Sequence, residues 1–119
     1  MLLDEPGGAD VAEEIRAAER VVASRLVRVE AERVLLRLAV DRPEVERSSP
    51  ELARGLRDLW TRMDMLEITD GVCALAGRIA PASRLRTLDA IHLATFHELR
   101  RVEPGLRMLT FDERLQREL

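Results

Sequence analysis

An α/β fold with a short parallel sheet is the class that the sequence predicts. Short apolar runs of strand type, such as Arg20–Ser24 and Met65–Ile68, alternate along the chain with longer segments whose apolar residues recur at helical spacing. Such alternation is typical of parallel strands joined by helices that cover both faces of the sheet. We therefore expect three layers, α/β/α, and a single domain over residues 1–119, a length that supports a modest core.

The elements follow in chain order from periodicity and from their start and stop signals. The pattern predicts helices over Ala9–Glu19 and Arg25–Arg42, from Ser48 to about Thr61, from Thr69 or Asp70 to Ile79, over Leu88–Phe96, and from Glu113 onward. Ser24 is the expected cap of the second helix, and Ser48 with Glu51 fits a capping box. Met108–Phe111, which follows a Pro-Gly turn, predicts one more buried strand.

Asp89 has the least ordinary setting of the acidic residues. From Leu88 to Phe96 only Asp89, His92 and Thr95 are polar, which predicts a buried helix, and Thr87 is a suitable N-cap for it. A carboxylate in the first turn lies near the positive end of the helix dipole, and a buried charge needs a cation or strong donors beside it. Asp89 is therefore a site candidate. The alternative is a helix-start Asp bonded to its own backbone.

Glu30 and Asp112 are two further candidates. Glu30 lies about one helical turn from apolar Leu26 and Val34, so it is either a site residue or a Glu that reaches to water from the edge of the apolar stripe. Asp112 follows the predicted strand Met108–Phe111, and ligands of open α/β sheets bind beyond the carboxyl ends of strands. An ordinary N-cap Asp fits the same position.

Three stretches of the chain together resemble PIN-domain ribonucleases, and most of all the VapC-like toxins of toxin–antitoxin pairs. They are Ser24–Glu30, Leu85–Thr95 and Leu109–Leu115, and they occur in the family's order and spacing. The segment Leu-Asp-Ala-Ile-His-Leu-Ala, residues 88–94, is the most specific part, and the resemblance covers almost the whole chain.

The resemblance implies roles for five residues. Glu30, Asp89 and Asp112 would be catalytic acids that hold Mg²⁺ or Mn²⁺, hard cations that prefer oxygen ligands. Arg86 would contact RNA phosphate, for which a solvated surface Arg is the alternative. Thr110 would orient Asp112, for which a plain sheet residue is the alternative.

The beginning of the chain departs from the family's pattern. The family starts with a short hydrophobic strand that ends in an Asp, whereas Met1–Gly8 resembles the end of the family's first helix and the turn after it. The expectation is an N-terminally truncated PIN-like fold whose first strand is absent. Its site would contain three of the usual four acids, because Asp4 lies in a turn and does not replace the missing ligand.

The function implied by the resemblance is that of a VapC-like toxin endoribonuclease, which hydrolyses RNA phosphodiester bonds with a divalent metal and whose activity the missing first Asp would impair. Its partners would be an RNA substrate, a VapB-like antitoxin and a second copy in a homodimer. One alternative is a catalytically inactive PIN-fold binding module that dimerises or binds an antitoxin. Another is an all-helical interaction domain with no site.

Composition and charge limit how the protein could attract RNA and where it could act. The net charge of −3 excludes attraction of RNA by an overall positive charge, so a local arginine patch would have to attract it. All 19 basic residues are Arg, the side chain suited to binding phosphate. The single cysteine, Cys73, excludes an internal disulfide and fits a cytoplasmic protein. No apolar run is long enough to cross a membrane, so we expect no membrane partner.

Overall fold

The computed structural model describes residues 8–44, 50–110 and 112–119, which fall into two compact units. The first unit ends at Leu66 and the second is Glu67–Leu119. The organisation of residues 1–119 as one domain stays a prediction. The expected turn at Asp4 and the capping serine Ser48 lie outside the described residues.

The first unit contains helices and a parallel pair of strands. Among the described residues its elements are α1 (Gly8–Ala17), β1 (Val22–Ser24), α2 (Arg25–Asp41), α3 (Pro50–Arg62) and β2 (Asp64–Leu66). The strands pair in parallel, with Val22 opposite Asp64 and Ser24 opposite Leu66. The predicted α/β class with a parallel sheet is thus confirmed, and the all-helical alternative is wrong.

Local hydrogen bonds explain how β1 turns directly into α2. The buried hydroxyl of Ser24 accepts a hydrogen bond from the Leu26 N–H at 3.2 Å, so Ser24 is the N-cap that the sequence predicts. Along α2, the residues of the apolar stripe are half-buried while Arg28, Glu32 and Arg33 are exposed. The helical phase read from the sequence is therefore correct.

The second unit is helical in its described part. Its helices are α4 (Asp70–Ala76), α5 (Thr87–Arg100) and α6 (Glu113–Gln116). Of the two residues predicted to start this helix, Thr69 is the cap of α4, and it accepts a hydrogen bond from the Val72 N–H. The predicted end of this helix at Ile79 is wrong, because the chain tightens into a turn at Gly77, a residue that is costly inside a helix.

A small core joins the elements of the second unit. Leu93 and Phe96 of α5 pack with Leu115 of α6, and partly buried apolar side chains surround them: Ile79, Ala80, Leu85, Leu106 and Met108. The middle of α5, residues 93–96, is buried as predicted. Its first turn is not, since Leu88 is 43% exposed.

The strand predicted over Met108–Phe111 is wrong for its described residues. Met108, Leu109 and Thr110 have no strand conformation, and Leu109 is exposed instead of buried. Phe111 lies outside the described residues. An apolar run predicts burial, which Met108 shows in part, but a strand also needs a ladder partner that no local pattern specifies.

None of the helices in the described ranges combines the length and the apolar character that crossing a membrane requires.

Candidate active site

Asp89 lies in the first turn of α5, and its carboxylate closes that turn. The backbone N–H of Arg86 donates a hydrogen bond to Asp89 Oδ2 at 3.4 Å. Arg86 is the N-cap residue, so the prediction that Thr87 caps the helix is wrong: Thr87 is already the first helical residue. The Asp89 carboxylate thereby satisfies the backbone donor of the N-cap residue, which is the acidic half of a capping box.

Asp112 is the N-cap of α6, and short local bonds fix its position. Asp112 Oδ1 accepts a hydrogen bond from the Arg114 N–H at 2.8 Å. The Asp112 N–H in turn donates to Thr110 Oγ1 at 3.0 Å, and Gln116 Nε2 donates to the Thr110 carbonyl at 2.9 Å. Thr110 is thereby tied to both ends of the short helix that Asp112 starts.

Arg114 connects the two acids. Its Nη2 lies 3.1 Å from Asp112 Oδ2 and 3.7 Å from Asp89 Oδ2, so one guanidinium faces both carboxylates. The three side chains are partly covered, with 19% of Asp89, 28% of Asp112 and 39% of Arg114 exposed. A cation or strong donors were expected beside Asp89, and Arg114 supplies the cation.

Arg114 is not among the site residues predicted from the sequence. An Arg two residues after an N-cap Asp lies in the same helical turn, so the spacing Asp-Glu-Arg was a usable signal for the Asp112–Arg114 contact. Nothing local pointed to the contact with Asp89, which depends on how α5 and α6 pack.

Arg114 and Asp112 each stabilise the charged form of the other. Arg114 holds the pKa of the Asp112 carboxyl below its ordinary value, mainly through the side-chain hydrogen bond and against the opposing effect of burial. The same hydrogen bond, with a smaller attraction to Asp89, raises the pKa of the Arg114 guanidinium. At neutral pH the guanidinium therefore stays charged, and two carboxylates share its single positive charge.

Glu30 belongs to the other unit. It is half-buried in the middle of α2, which agrees with its predicted phase. Asp89 and Asp112 lie in the second unit, so the convergence of all three acids on one pocket stays a prediction. The side chain of Arg86 is exposed, and its role toward RNA also stays a prediction.

The donor chemistry of the Asp89–Asp112 pair fits a hard divalent cation. Both carboxylates already share one cation, the guanidinium of Arg114, and Mg²⁺ is commonly held by one or two carboxylates together with waters and phosphate oxygens. Within either unit, the described residues include no group of three or more His, Cys, Asp or Glu side chains that could hold a metal ion. Further ligands would have to come from beyond this pair.

Comparison with known proteins places the chain in a family. Residues 1–118 match the family model described as PIN domain. The ribonuclease VapC46 of Mycobacterium tuberculosis (strain ATCC 25618 / H37Rv) is 39% identical over 102 residues, which are 86% of this chain and 68% of the relative. The ribonuclease VapC47 of M. tuberculosis (strain CDC 1551 / Oshkosh) is 38% identical over 97 residues, 82% of this chain and 62% of that relative.

A third relative extends the same likeness over a shorter stretch. The ribonuclease VapC35 of M. tuberculosis (strain ATCC 25618 / H37Rv) is 38% identical over 68 residues, 57% of this chain and 50% of the relative. The chain thus spans between half and about two thirds of the length of these relatives. No solved structure gives a significant match. Because the family match covers almost every residue, this chain belongs to the PIN domain family.

Proposed function

We propose that this chain is a VapC-like endoribonuclease that hydrolyses RNA phosphodiester bonds with the help of Mg²⁺ or Mn²⁺. The observation that carries the proposal is that the carboxylates of Asp89 and Asp112, although distant in sequence, lie beside the same guanidinium, that of Arg114. The relatives named ribonuclease VapC support the reaction class.

In this proposal the three acids bind the metal ion or orient the attacking water. Asp89 and Asp112 hold the divalent cation, and Glu30 is a third ligand or orients the attacking water. A bound divalent cation activates water and neutralises charge that develops on the phosphate. Thr110 keeps Asp112 in place through the Asp112 N–H, and Arg86, which is exposed next to Asp89, contacts a phosphate of the RNA.

The test is cleavage of a mixed RNA substrate by the purified chain in Mg²⁺ or Mn²⁺, with an EDTA arm. We expect cleavage that EDTA abolishes and that Asp89→Asn removes. Asp70→Asn is the matched control, because Asp70 is also an acid in a first helical turn of the second unit but is exposed. Cleavage that persists in EDTA or in Asp89→Asn would overturn the proposal.

A second candidate function is an inactive PIN-fold module that dimerises or binds an antitoxin. One observation favours it: Arg114 already gives both carboxylates a cation, so the pair is compatible with a purely structural role. A folded chain that neither binds Mn²⁺ nor cleaves RNA would support this candidate.

The partners proposed for either function are a VapB-like antitoxin and a second copy of the chain. The antitoxin is supported by the resemblance to the toxins of toxin–antitoxin pairs together with the relatives named ribonuclease VapC. Light scattering of the purified chain, alone and mixed with a candidate antitoxin, tests both. A monomer that stays monomeric in the mixture would exclude these partners.

A further inference from the structure

We infer that the guanidinium of Arg114 is a built-in counter-ion that competes with the divalent cation for Asp89 and Asp112. The inference rests on the proposed function, since it concerns the same pair of acids. Arg114 would act on the cation through these carboxylates, so it is a positioning residue and not a ligand.

The competition follows from which atoms are engaged. Nη2 of Arg114 faces Oδ2 of Asp112 at 3.1 Å and Oδ2 of Asp89 at 3.7 Å. A cation held jointly by the two carboxylates needs oxygens from both of them, and a positive group already occupies the space between. Two cations that share one carboxylate pair repel each other, so binding of the metal requires the guanidinium to leave.

The guanidinium is able to leave without disturbing the acids. Asp112 Oδ1 is held at 2.8 Å by the backbone N–H of Arg114, a bond that does not depend on where the arginine side chain points. Asp89 Oδ2 is held by the backbone N–H of Arg86 in the same way. The Arg114 side chain is long and 39% exposed, which leaves it a path into solvent.

The negative charge of Asp89 and Asp112 is therefore neutralised either by Arg114 or by the metal ion. Without metal, Arg114 reduces the repulsion between the two carboxylates and keeps them close together. With metal, the cation takes over this role and Arg114 turns outward. Arg114 therefore lowers the affinity for the metal while it stabilises the metal-free protein.

The experiment measures Mn²⁺ binding by calorimetry without RNA. Arg114→Gln keeps most of the length and polarity of the side chain but removes its charge. We expect it to bind Mn²⁺ about tenfold more tightly, the low end of the effect that one nearby charge has on a carboxylate equilibrium. Arg114→Lys keeps the charge and should stay close to wild type in affinity.

Arg117→Gln is the matched control. Like Arg114→Gln, it removes one positive charge, here from the residue that follows α6. Arg117, however, is exposed and pairs with Glu113 at 3.8 Å. We expect its Mn²⁺ affinity to stay within about twofold of wild type, since exposed ion pairs are weak and screened. A gain equal to that of Arg114→Gln would overturn the inference, because it would show an effect of net charge alone.

Thermal unfolding gives a second readout that does not depend on activity. In EDTA, Arg114→Gln should unfold at a lower temperature than wild type, and Mn²⁺ should raise its Tm by more than it raises that of wild type. If Arg114→Gln fails to fold, Arg114→Ala replaces it, with far-UV circular dichroism as the check of folding. A neutral, folded variant with unchanged or weaker Mn²⁺ affinity would overturn the inference.

The failure of this inference is distinguishable from failure of the proposed function. If wild type binds Mn²⁺ and cleaves RNA but the neutral variants bind no more tightly, only the competition by Arg114 is wrong. If neither wild type nor folded Arg114→Gln binds Mn²⁺, both are overturned.

Discussion

At the scale of single residues, Asp112 combines two roles that are usually separate. One carboxylate oxygen caps α6, and the other faces the cation shared with Asp89. The cap fixes the orientation of the carboxylate, so the same bond that starts the helix also aims the acid. An N-cap Asp and a site Asp, which were alternatives on the sequence, are compatible at this position.

The depressed pKa of Asp112 predicts how stability depends on pH. Because Arg114 holds this pKa below the ordinary value of 3.8, folding favours the ionised form. The resulting stability is present above the ordinary pKa and is lost as the pH falls through the lower pKa of the folded state. We expect urea unfolding between about pH 5 and pH 3 to show a larger loss for wild type than for Asp112→Asn. Equal losses would contradict this assignment.

Asp89→Asn should abolish Mn²⁺ binding while the protein keeps its fold. The amide is nearly isosteric but lacks the charge that a divalent cation needs. In the metal-free protein we expect a small change in the free energy of unfolding, because Asp89 lies at the longer distance from Arg114 and a partly exposed pair contributes about 0–1 kcal/mol. Calorimetry and urea unfolding measure the two effects; unchanged Mn²⁺ affinity would remove Asp89 from the list of ligands.

At the scale of the elements, the features that could be predicted were those set by residues close together in the sequence, such as helix caps. Ser24 and Thr69 cap their helices because a side-chain oxygen next to a helical run finds the open N–H groups without help from the rest of the fold. The expected strand at Met108–Phe111 and the contact between Arg114 and Asp89 depend instead on packing partners that are distant in sequence. For the same reason, the convergence of Glu30 with the other acids stays a prediction.

Thr69→Ala should destabilise the second unit. The substitution removes the oxygen that accepts the Val72 N–H at 3.1 Å, and loss of such a cap costs about 1 kcal/mol. Thr69 is exposed, so the change creates no cavity. Urea unfolding measures the effect, and Thr69→Ser, which keeps the hydroxyl, should restore most of the stability. A serine variant as unstable as the alanine variant would show that the hydroxyl is not responsible.

At the scale of the whole molecule, one small core determines where the two acids meet. Asp89 is on the helix that contributes Leu93 and Phe96, and Asp112 begins the helix that contributes Leu115. These three apolar side chains therefore hold the two acidic helix starts against each other. The placement of the pair depends on a core that the described part of the second unit builds from few fully buried residues.

Leu93→Ala tests this dependence. Leu93 is only 1% exposed, so its truncation should lower the free energy of unfolding by about 2–5 kcal/mol, through lost burial and the cavity left behind. Leu88→Ala is the control: it is the same substitution on the same helix, at a residue that is 43% exposed, and it should cost less than about 1 kcal/mol. Urea unfolding measures both.

The informative readout of these two variants is Mn²⁺ affinity at a temperature where both are folded. If the core sets the spacing of Asp89 and Asp112, Leu93→Ala weakens Mn²⁺ binding because α5 and α6 lose part of their common contact, and Leu88→Ala leaves it unchanged. Neither leucine bears a charge, so electrostatics does not account for such a difference. A folded Leu93→Ala variant with the affinity of wild type would show that the local bonds from Arg86 and Arg114 position the acids without the core.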